Sequence, residues 1–286
     1  MGHGGDSYNV AAYMNRLGCD ATYVTALGLD AFSADVRAAF AEEGLDTRHV
    51  LTHPVRTVGL YAIRLDAHGE RSFTYWRGES AARALFDCPG AAEAIADART
   101  GDCLYVSGIT LSLFGSAGRM ELEQAAAAVR GNGGIVAFDT NYRPRNWAGV
   151  EAARTAMTDF ARHASILLPT LDDDRALFGD RDAPACAARW HDLGVGEVVV
   201  KLGREGAYIS AGGGGTRLRP PDVVEARDTT GAGDSFNAAY LAARLAGHSP
   251  DEAARRGNVL AGVVVRHPGA IISKRLMPLQ SSSPAG

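Results

Sequence analysis

Lysine is nearly missing from this chain. Of 29 basic residues only Lys201 and Lys274 are lysines; the others are arginines. A phosphate site that uses a flexible ammonium group therefore has little choice. Basic charge is not in excess either, with 29 Lys+Arg against 33 Asp+Glu and a net charge of −4. That balance offers no field to draw in nucleic acid or an anionic membrane surface. Long hydrophobic runs are also missing. The longest aliphatic stretch, near Val259–Val265, falls far short of the roughly 20 residues of a bilayer span. The opening Met1–Gly5 has neither the basic start nor the apolar core of a signal peptide. Four cysteines, Cys19, Cys88, Cys103 and Cys186, stand far apart without a CxxC. This excludes a disulfide scaffold and fits reduced thiols in the cytoplasm. None of the eight histidines lies in an HExxH, and there is no GxSxG elbow and no GxxxxGK loop.

What is present describes one soluble α/β domain over residues 1–286. Hydrophobic residues make up 46% and charged residues 22%, ordinary values for a globular chain. Short apolar runs at Ala21–Ala26, Cys103–Ser107, Ile135–Asp139, Ile166–Pro169 and Val198–Leu202 read as strands buried on both faces. Helical patterns at Ser33–Glu43, Ser116–Arg130, Val150–His163 and Ala183–Leu193 lie between them, with Ser33 as N-cap and Gly44 as stop. Such alternation predicts a parallel-type sheet with helices on both faces. Two segments break it. Thr57–Arg77, with a turn at Asp66–Glu70, reads as a long hairpin of mixed faces, a small β appendage at about residues 57–78. Ala207–Arg219 reads as a surface hairpin turning at Gly212–Gly215. Helices are expected at Gly233–Leu245 and Pro250–Arg266, and a disordered tail at 280–286. The acids Glu42, Glu43 and Asp172–Asp174 read as solvated helix faces.

The stretch Asp228-Thr-Thr-Gly-Ala-Gly-Asp-Ser-Phe236 carries the chemistry. It is expected to follow a strand and open a helix. Glycines at such a junction let backbone N–H groups face an anion, and the helix dipole adds positive charge. Asp234 then stands beside the bound anion. A carboxylate in that place suits proton abstraction from an attacking hydroxyl. A plain helix cap at Asp234 is the competing reading.

This stretch resembles the C-terminal signature of the ribokinase and fructokinase (pfkB) family of carbohydrate kinases. Gly4-Gly-Asp-Ser-Tyr-Asn-Val-Ala11 with Leu17 and Gly18, Val24–Phe32, and Lys201-Leu-Gly-Arg-Glu-Gly206 resemble other signatures of the family, in the right order. Phe73–Arg77 followed by Ser80–Ala82, Phe138–Trp147, Thr170–Asp174 and Gly269–Ile272 narrow the likeness to 2-keto-3-deoxygluconate kinases.

The resemblance implies a ribokinase-like sheet with a β lid, ATP and Mg²⁺ as cofactors, and room for a monovalent cation. It implies Asp234 as catalytic base and Gly231, Ala232 and Gly233 as an anion hole. Gly5, Asn9 and Tyr61 would line the sugar site, and Tyr75 and Arg77 would reach the acid end of the substrate. Arg143 would approach both substrate and ATP phosphates, since an Arg fork matches carboxylate and phosphate alike. Asn141, Lys201, Gly203, Gly206 and Asn258 would lie on the nucleotide side. The family's metal-linked NxxE is altered here: Thr170 replaces Asn and Asp173 holds the Glu position, which leaves Asp173 as an indirect Mg²⁺ ligand through water. Partners would be a small sugar acid, ATP and a second copy of the chain through the lid. The family also has a strand and loop ahead of the glycine pair. This chain starts almost on that pair, and the expectation is an incomplete gene start. Another sugar kinase, such as a fructokinase, and a non-catalytic ligand-binding homologue are the rival readings.

Overall fold

The computed structural model describes residues 2–65 and 71–278. The elements run in the order α1 (Asp6–Arg16), β1 (Thr25–Leu27), α2 (Ala31–Glu42), β2 (Val50–Thr52), β3 (Leu60–Leu65), β4 (Arg71–Trp76), α3 (Ala91–Ala98), β5 (Cys103–Ser107), α4 (Gly108–Leu113) and α5 (Ser116–Gly131). They continue with β6 (Ile135–Asp139), α6 (Val150–Ala161), β7 (Ile166–Leu167), α7 (Leu171–Phe178), α8 (Ala183–His191), β8 (Glu197–Lys201), β9 (Ala207–Ala211), β10 (Gly214–Leu218), α9 (Ala232–Leu245) and α10 (Pro250–Val264).

A six-stranded sheet in the order β10-β9-β8-β7-β6-β5 forms the centre. Strands β5 to β8 are parallel, and β9 and β10 add antiparallel strands at one edge. Successive residues of one strand serve opposite faces. Val198 and Val200 join Phe138, Phe160 and Trp190 on one side. Val199 joins Ile209, Phe236, Tyr240 and Leu260 on the other. This two-sided burial is why the strands read as unbroken apolar runs. No helix among the described residues is long and apolar enough to cross a membrane.

Several expectations shift. The run Ala21–Ala26 does not enter the main sheet; β1 begins at Thr25 and pairs in parallel with β2 as a separate two-stranded sheet. The cap of α2 is Asp30, not Ser33. The Asp30 carboxylate accepts the Ser33 N–H at 3.0 Å and the Ser33 hydroxyl at 2.7 Å, so the acid three residues ahead takes the helix end and the serine lies in the first turn. No strand precedes the glycine stretch at Gly231–Gly233. Residues 219–231 are a loop, held by Val265 O, which accepts the amides of Arg227 and Asp228. The strand at Ile166 stops at Leu167. The glycine hairpin forms as expected, turning on Gly212 (φ 64°) and Gly213 (φ 91°). The hairpin β3–β4 pairs antiparallel with Tyr61 opposite Tyr75; its expected turn at Asp66–Glu70, and the tail at 280–286, lie outside the described residues.

Strands β5 and β6 meet α4 and α6 where Gly108 presses on the chain after β6. A Cβ at Gly108 would lie 2.0 Å from the Thr140 carbonyl oxygen and 2.5 Å from Met157 Cε. The first neighbour is backbone and cannot swing away. Gly108→Ala is expected to destabilise the fold by about 1–3 kcal/mol, read as a lower urea midpoint at unchanged slope.

Candidate active site

The C-terminal ends of the parallel strands form one rim, the usual position of ligands on an open α/β sheet. Ser107 ends β5, Asp139 ends β6 and Lys201 ends β8. Thr170, just after β7, bridges Lys201. The N-termini of α1, α7 and α9 face the same rim and bring Asp6, Asp173 and Asp234 in their first turns.

Asp234 does not cap its helix. The cap position is Gly231, in the left-handed region at φ 75°. A Cβ there would lie 2.6 Å from Ala270 O, so the Gly269–Ile272 stretch presses on this turn and requires a glycine. The Ala232 amide is already engaged by Thr229 O at 3.2 Å, whereas Gly233 and Asp234 contribute the next amides of the helix N-terminus. Lys201 Nζ comes within 3.6 Å of the place a Gly233 Cβ would take.

The side chain of Asp234 turns toward α1. Its Oδ2 accepts Asn9 Nδ2–H at 2.7 Å. Asn9 is itself buried, and its Oδ1 accepts the Gly5 amide at 3.4 Å. Burial first, and then the nearby Asp6 carboxylate, push the pKa of Asp234 up to about 7, while the Asn9 hydrogen bond pulls it down. Asp6 is raised as well, chiefly by burial; Ser107 donates its hydroxyl to it and Asn141 Nδ2 reaches it at 3.4 Å.

Behind the glycines lies a buried polar cluster. Lys201 Nζ donates to Asp139 Oδ2 at 2.5 Å and to Asn237 Oδ1 at 3.1 Å. Asn237 Nδ2 donates to Asp139 Oδ2 at 2.6 Å and to the Tyr105 hydroxyl at 3.2 Å. Asp139 Oδ1 accepts the Asn141 amide at 3.0 Å. Asn141 has φ 31°, a left-handed backbone that asparagine tolerates better than most residues. Two residues on, Arg143 Nη1 bonds both oxygens of Asp173, at 3.1 and 3.0 Å. Burial raises the Asp173 pKa and Arg143 opposes the rise.

The hairpin lies against the start of the chain, beside the rim. A Cβ on Gly4 would lie 3.6 Å from the Tyr61 hydroxyl. The Tyr61 and Tyr75 rings stack with centroids 5.9 Å apart. The Arg145 guanidinium lies 3.8 Å and that of Arg77 4.6 Å from the Tyr75 ring centre. Arg145 donates to the Tyr75 hydroxyl, and Arg77 donates to Asn146 Oδ1 at 2.9 Å.

The structure thus brings Gly5, Asn9, Asn141, Arg143, Asp173, Lys201, Gly231, Ala232, Gly233 and Asp234 to one rim. Tyr61, Tyr75 and Arg77 stand on the hairpin beside it. Gly203 (φ 57°) and Gly206 (φ 90°) shape the turn after Lys201; a Cβ at Gly206 would lie 2.1 Å from Leu218 O. Asn258 is buried on α10, donates to Leu218 O at 3.5 Å, and shares no hydrogen bond with the rim among the described residues. Asp6, Ser107, Asp139 and Asn237 were not singled out by sequence. Asp139 carried a readable signal, an acid at the carboxyl end of an otherwise apolar buried strand. The expectation that Asp172–Asp174 form a solvated face fails at Asp174, which is fully buried and accepts from Thr140, Cys186, Arg189 and Trp190. Helical spacing turns the third acid inward while Asp172 stays outside on Arg175.

Comparison with known proteins places the chain in a family and a fold. The profile of the pfkB family carbohydrate kinases matches residues 1–276. A 2-dehydro-3-deoxygluconokinase of Dickeya dadantii (strain 3937) is 40% identical over 97% of this chain and 92% of its own length. The crystal structure of a PfkB protein from Polaromonas sp. JS666 superposes with a TM-score of 0.80 at 29% identity, covering 92% of this chain and 85% of that one. A fructokinase from Vibrio cholerae O395, in its fructose-, ADP- and calcium-bound form, gives 0.80 at 25% identity, covering 93% and 86%. The chain belongs to the pfkB family of carbohydrate kinases, phosphotransferases with an alcohol group as acceptor.

Proposed function

We propose that this kinase transfers the γ-phosphoryl group of ATP to the 6-hydroxyl of 2-keto-3-deoxy-D-gluconate, with Asp234 as general base. The observation that carries the reading is Asp234 itself: a carboxylate poised near neutral pH, held by Asn9, at a glycine-cradled helix N-terminus. A base of that pKa matches the working pH of the reaction. The sugar-acid class rests on Arg77, Arg143 and the likeness to the Dickeya dadantii enzyme. Two guanidinium forks suit a substrate carboxylate better than a neutral ketose does.

Substrate would lie under the hairpin, between Tyr61, Tyr75 and Arg77 above and Gly5 and Asn9 below. Asp234 takes the proton from the 6-hydroxyl as its oxygen attacks phosphorus in line. The amides of Gly233 and Asp234 hold the developing charge, supported by the helix dipole and the Lys201 ammonium. Asn141, Arg143 and the turn Lys201–Gly206 bind the ATP phosphates. The residues present suit Mg²⁺: the carboxylate of Asp173 lies on the rim beside Arg143, where it can hold a metal-bound water. When bound, Mg²⁺ supplies charge neutralisation on the phosphates. The exposed Trp76 on the hairpin is the surface that pairing with a second copy would cover.

Assayed by coupled ADP release, kcat/KM for keto-deoxygluconate should exceed that for fructose or ribose by on the order of 10²-fold. A substrate carboxylate would add charge-assisted hydrogen bonds to Arg77 and Arg143 that a neutral sugar cannot make. Equal use of fructose would refute the acid-specific reading and leave the kinase assignment standing.

Asp234→Asn keeps the shape but accepts no proton, and should lower kcat by on the order of 10²-fold or more while ATP binding persists. In the parent enzyme kcat/KM should fall about tenfold per unit below pH ~7 as Asp234 takes up its proton. The same group governs a stability term of opposite sense. Its folded pKa of about 7 lies above the unfolded value of roughly 3.9. The fold is therefore favoured by this group at low pH and loses that contribution as pH rises through 7. Asp234 keeps some open surface, so screening trims the effect. Asp234→Asn should be more stable than the parent at pH 8 by on the order of 2 kcal/mol, with the gap closing toward pH 4. A melting series from pH 4 to 8 on both proteins decides this; a gap that does not vary with pH rules the titration of Asp234 out as its source.

A further inference from the structure

Behind the rim, Asp174 forms a buried junction that the proposed chemistry does not use. Its Oδ1 accepts the Thr140 hydroxyl at 2.7 Å. Its Oδ2 accepts Trp190 Nε1 at 2.7 Å, Arg189 Nη2 at 2.9 Å and Cys186 Sγ at 3.3 Å. Asp174 and Thr140 are both fully buried. With Asp180 and Cys186, Asp174 is the one group among the described residues whose spacing would allow a metal ion. The Arg189 guanidinium already bonds Asp174 and Asp180, however, at 2.9 and 2.6 Å, so the cation in this cluster is an arginine. The junction is closed on itself and needs another explanation than a ligand.

That explanation lies in what the two neighbouring acids hold. Asp173 faces the rim and grips Arg143. Asp174 faces the interior and grips Thr140. Between those anchors runs the loop of Thr140, Asn141, Tyr142 and Arg143, which includes the left-handed Asn141. An off-region backbone persists only when its surroundings over-determine it. Here Gly108 packs on the Thr140 carbonyl, Asp139 accepts the Asn141 amide, and Asp174 takes the Thr140 hydroxyl. The Thr140 bond also fixes the first turn of α7, because the Asp174 amide donates to Thr170 O at 3.0 Å and Thr170 offers the helix no side-chain cap.

We propose that the Thr140–Asp174 hydrogen bond is a positioning element for nucleotide and metal binding. It locks the loop of Asn141 and Arg143 to the helix that carries Asp173, so that all three reach the phosphate side of the rim in register. Asp174 touches no reacting group; it acts through Thr140 and through its neighbour in α7. This rests on the nucleotide-side roles proposed above and not on the identity of the sugar.

The test is calorimetric binding of Mg·ATP in the absence of sugar, with thermal melting recorded on each protein. Thr140→Val keeps the shape and removes the hydroxyl; Thr140→Ser keeps the hydroxyl and removes a methyl. Thr140→Val should weaken Mg·ATP binding by about tenfold and make it need more Mg²⁺, while Thr140→Ser binds within about twofold of the parent. Should Thr140→Val not fold, Thr140→Ala reads the same loss without the bulk of the added methyl. Unchanged Mg·ATP binding in the hydroxyl-free variant overturns the proposal. So does equal weakening by Thr140→Ser, which would assign the effect to packing. A parent enzyme that binds Mg·ATP but phosphorylates no sugar acid would refute the substrate reading while leaving this result interpretable.

Discussion

Lys201 and Asp139 tie the ends of two sheet strands to the helix that carries Asp234, the proposed base, and the candidate site is built around that pair. The side chains are 8% and 3% exposed. Burying an ammonium and a carboxylate costs several kcal/mol for each ion, and the cost is recovered only when geometry and further hydrogen bonds are good. Asn237 meets both partners from α9, and the Asn141 amide caps the other carboxylate oxygen. Removing either charge would leave the other unpaired in the interior. A chain with only two lysines has placed one of them at the end of a buried strand, with its ammonium 3.6 Å from the place a Gly233 Cβ would take.

Acid crowding on the same rim follows from this architecture. Three helix N-termini each bring an aspartate in the first turn, where the dipole favours negative charge. Together the carboxylates repel. Burial does most to raise the pKa of Asp234; Asp6 and Asp139 add to it, and the Asn9 hydrogen bond and Lys201 only partly offset them. The result is a carboxylate, the proposed base, matched to neutral pH at a cost in fold stability that grows as pH rises. Function and stability therefore draw on one group in opposite directions.

Much of the scaffold could be read from sequence because its signals are local. The strands Cys103–Ser107 and Ile135–Asp139 and the helix beginning at Ser116 stand where their periodicity placed them. The failures have a common cause, competition between groups that sequence shows only as neighbours. Asp30 takes the helix end that Ser33 could have capped. Of three consecutive acids, rotation of α7 turns Asp174 inward and leaves Asp172 in water. The apolar run before Leu27 pairs with β2 because partner choice among strands is a non-local matter.

The sequence by itself determined the family, the glycine cradle and the candidate base, since these lie in contiguous stretches whose backbone needs are strict: only glycine fits a left-handed cap pressed against Ala270. It also supplied the arginines and tyrosines of the hairpin. Tertiary structure alone decided how these groups are tuned. Asn9 and Asp234 are 225 residues apart and share a hydrogen bond; Lys201 and Asp139 are 62 apart and share a charge pair. A pKa depends on burial and on charges a few ångströms away, and those distances exist only once the sheet has brought its strand ends to one rim.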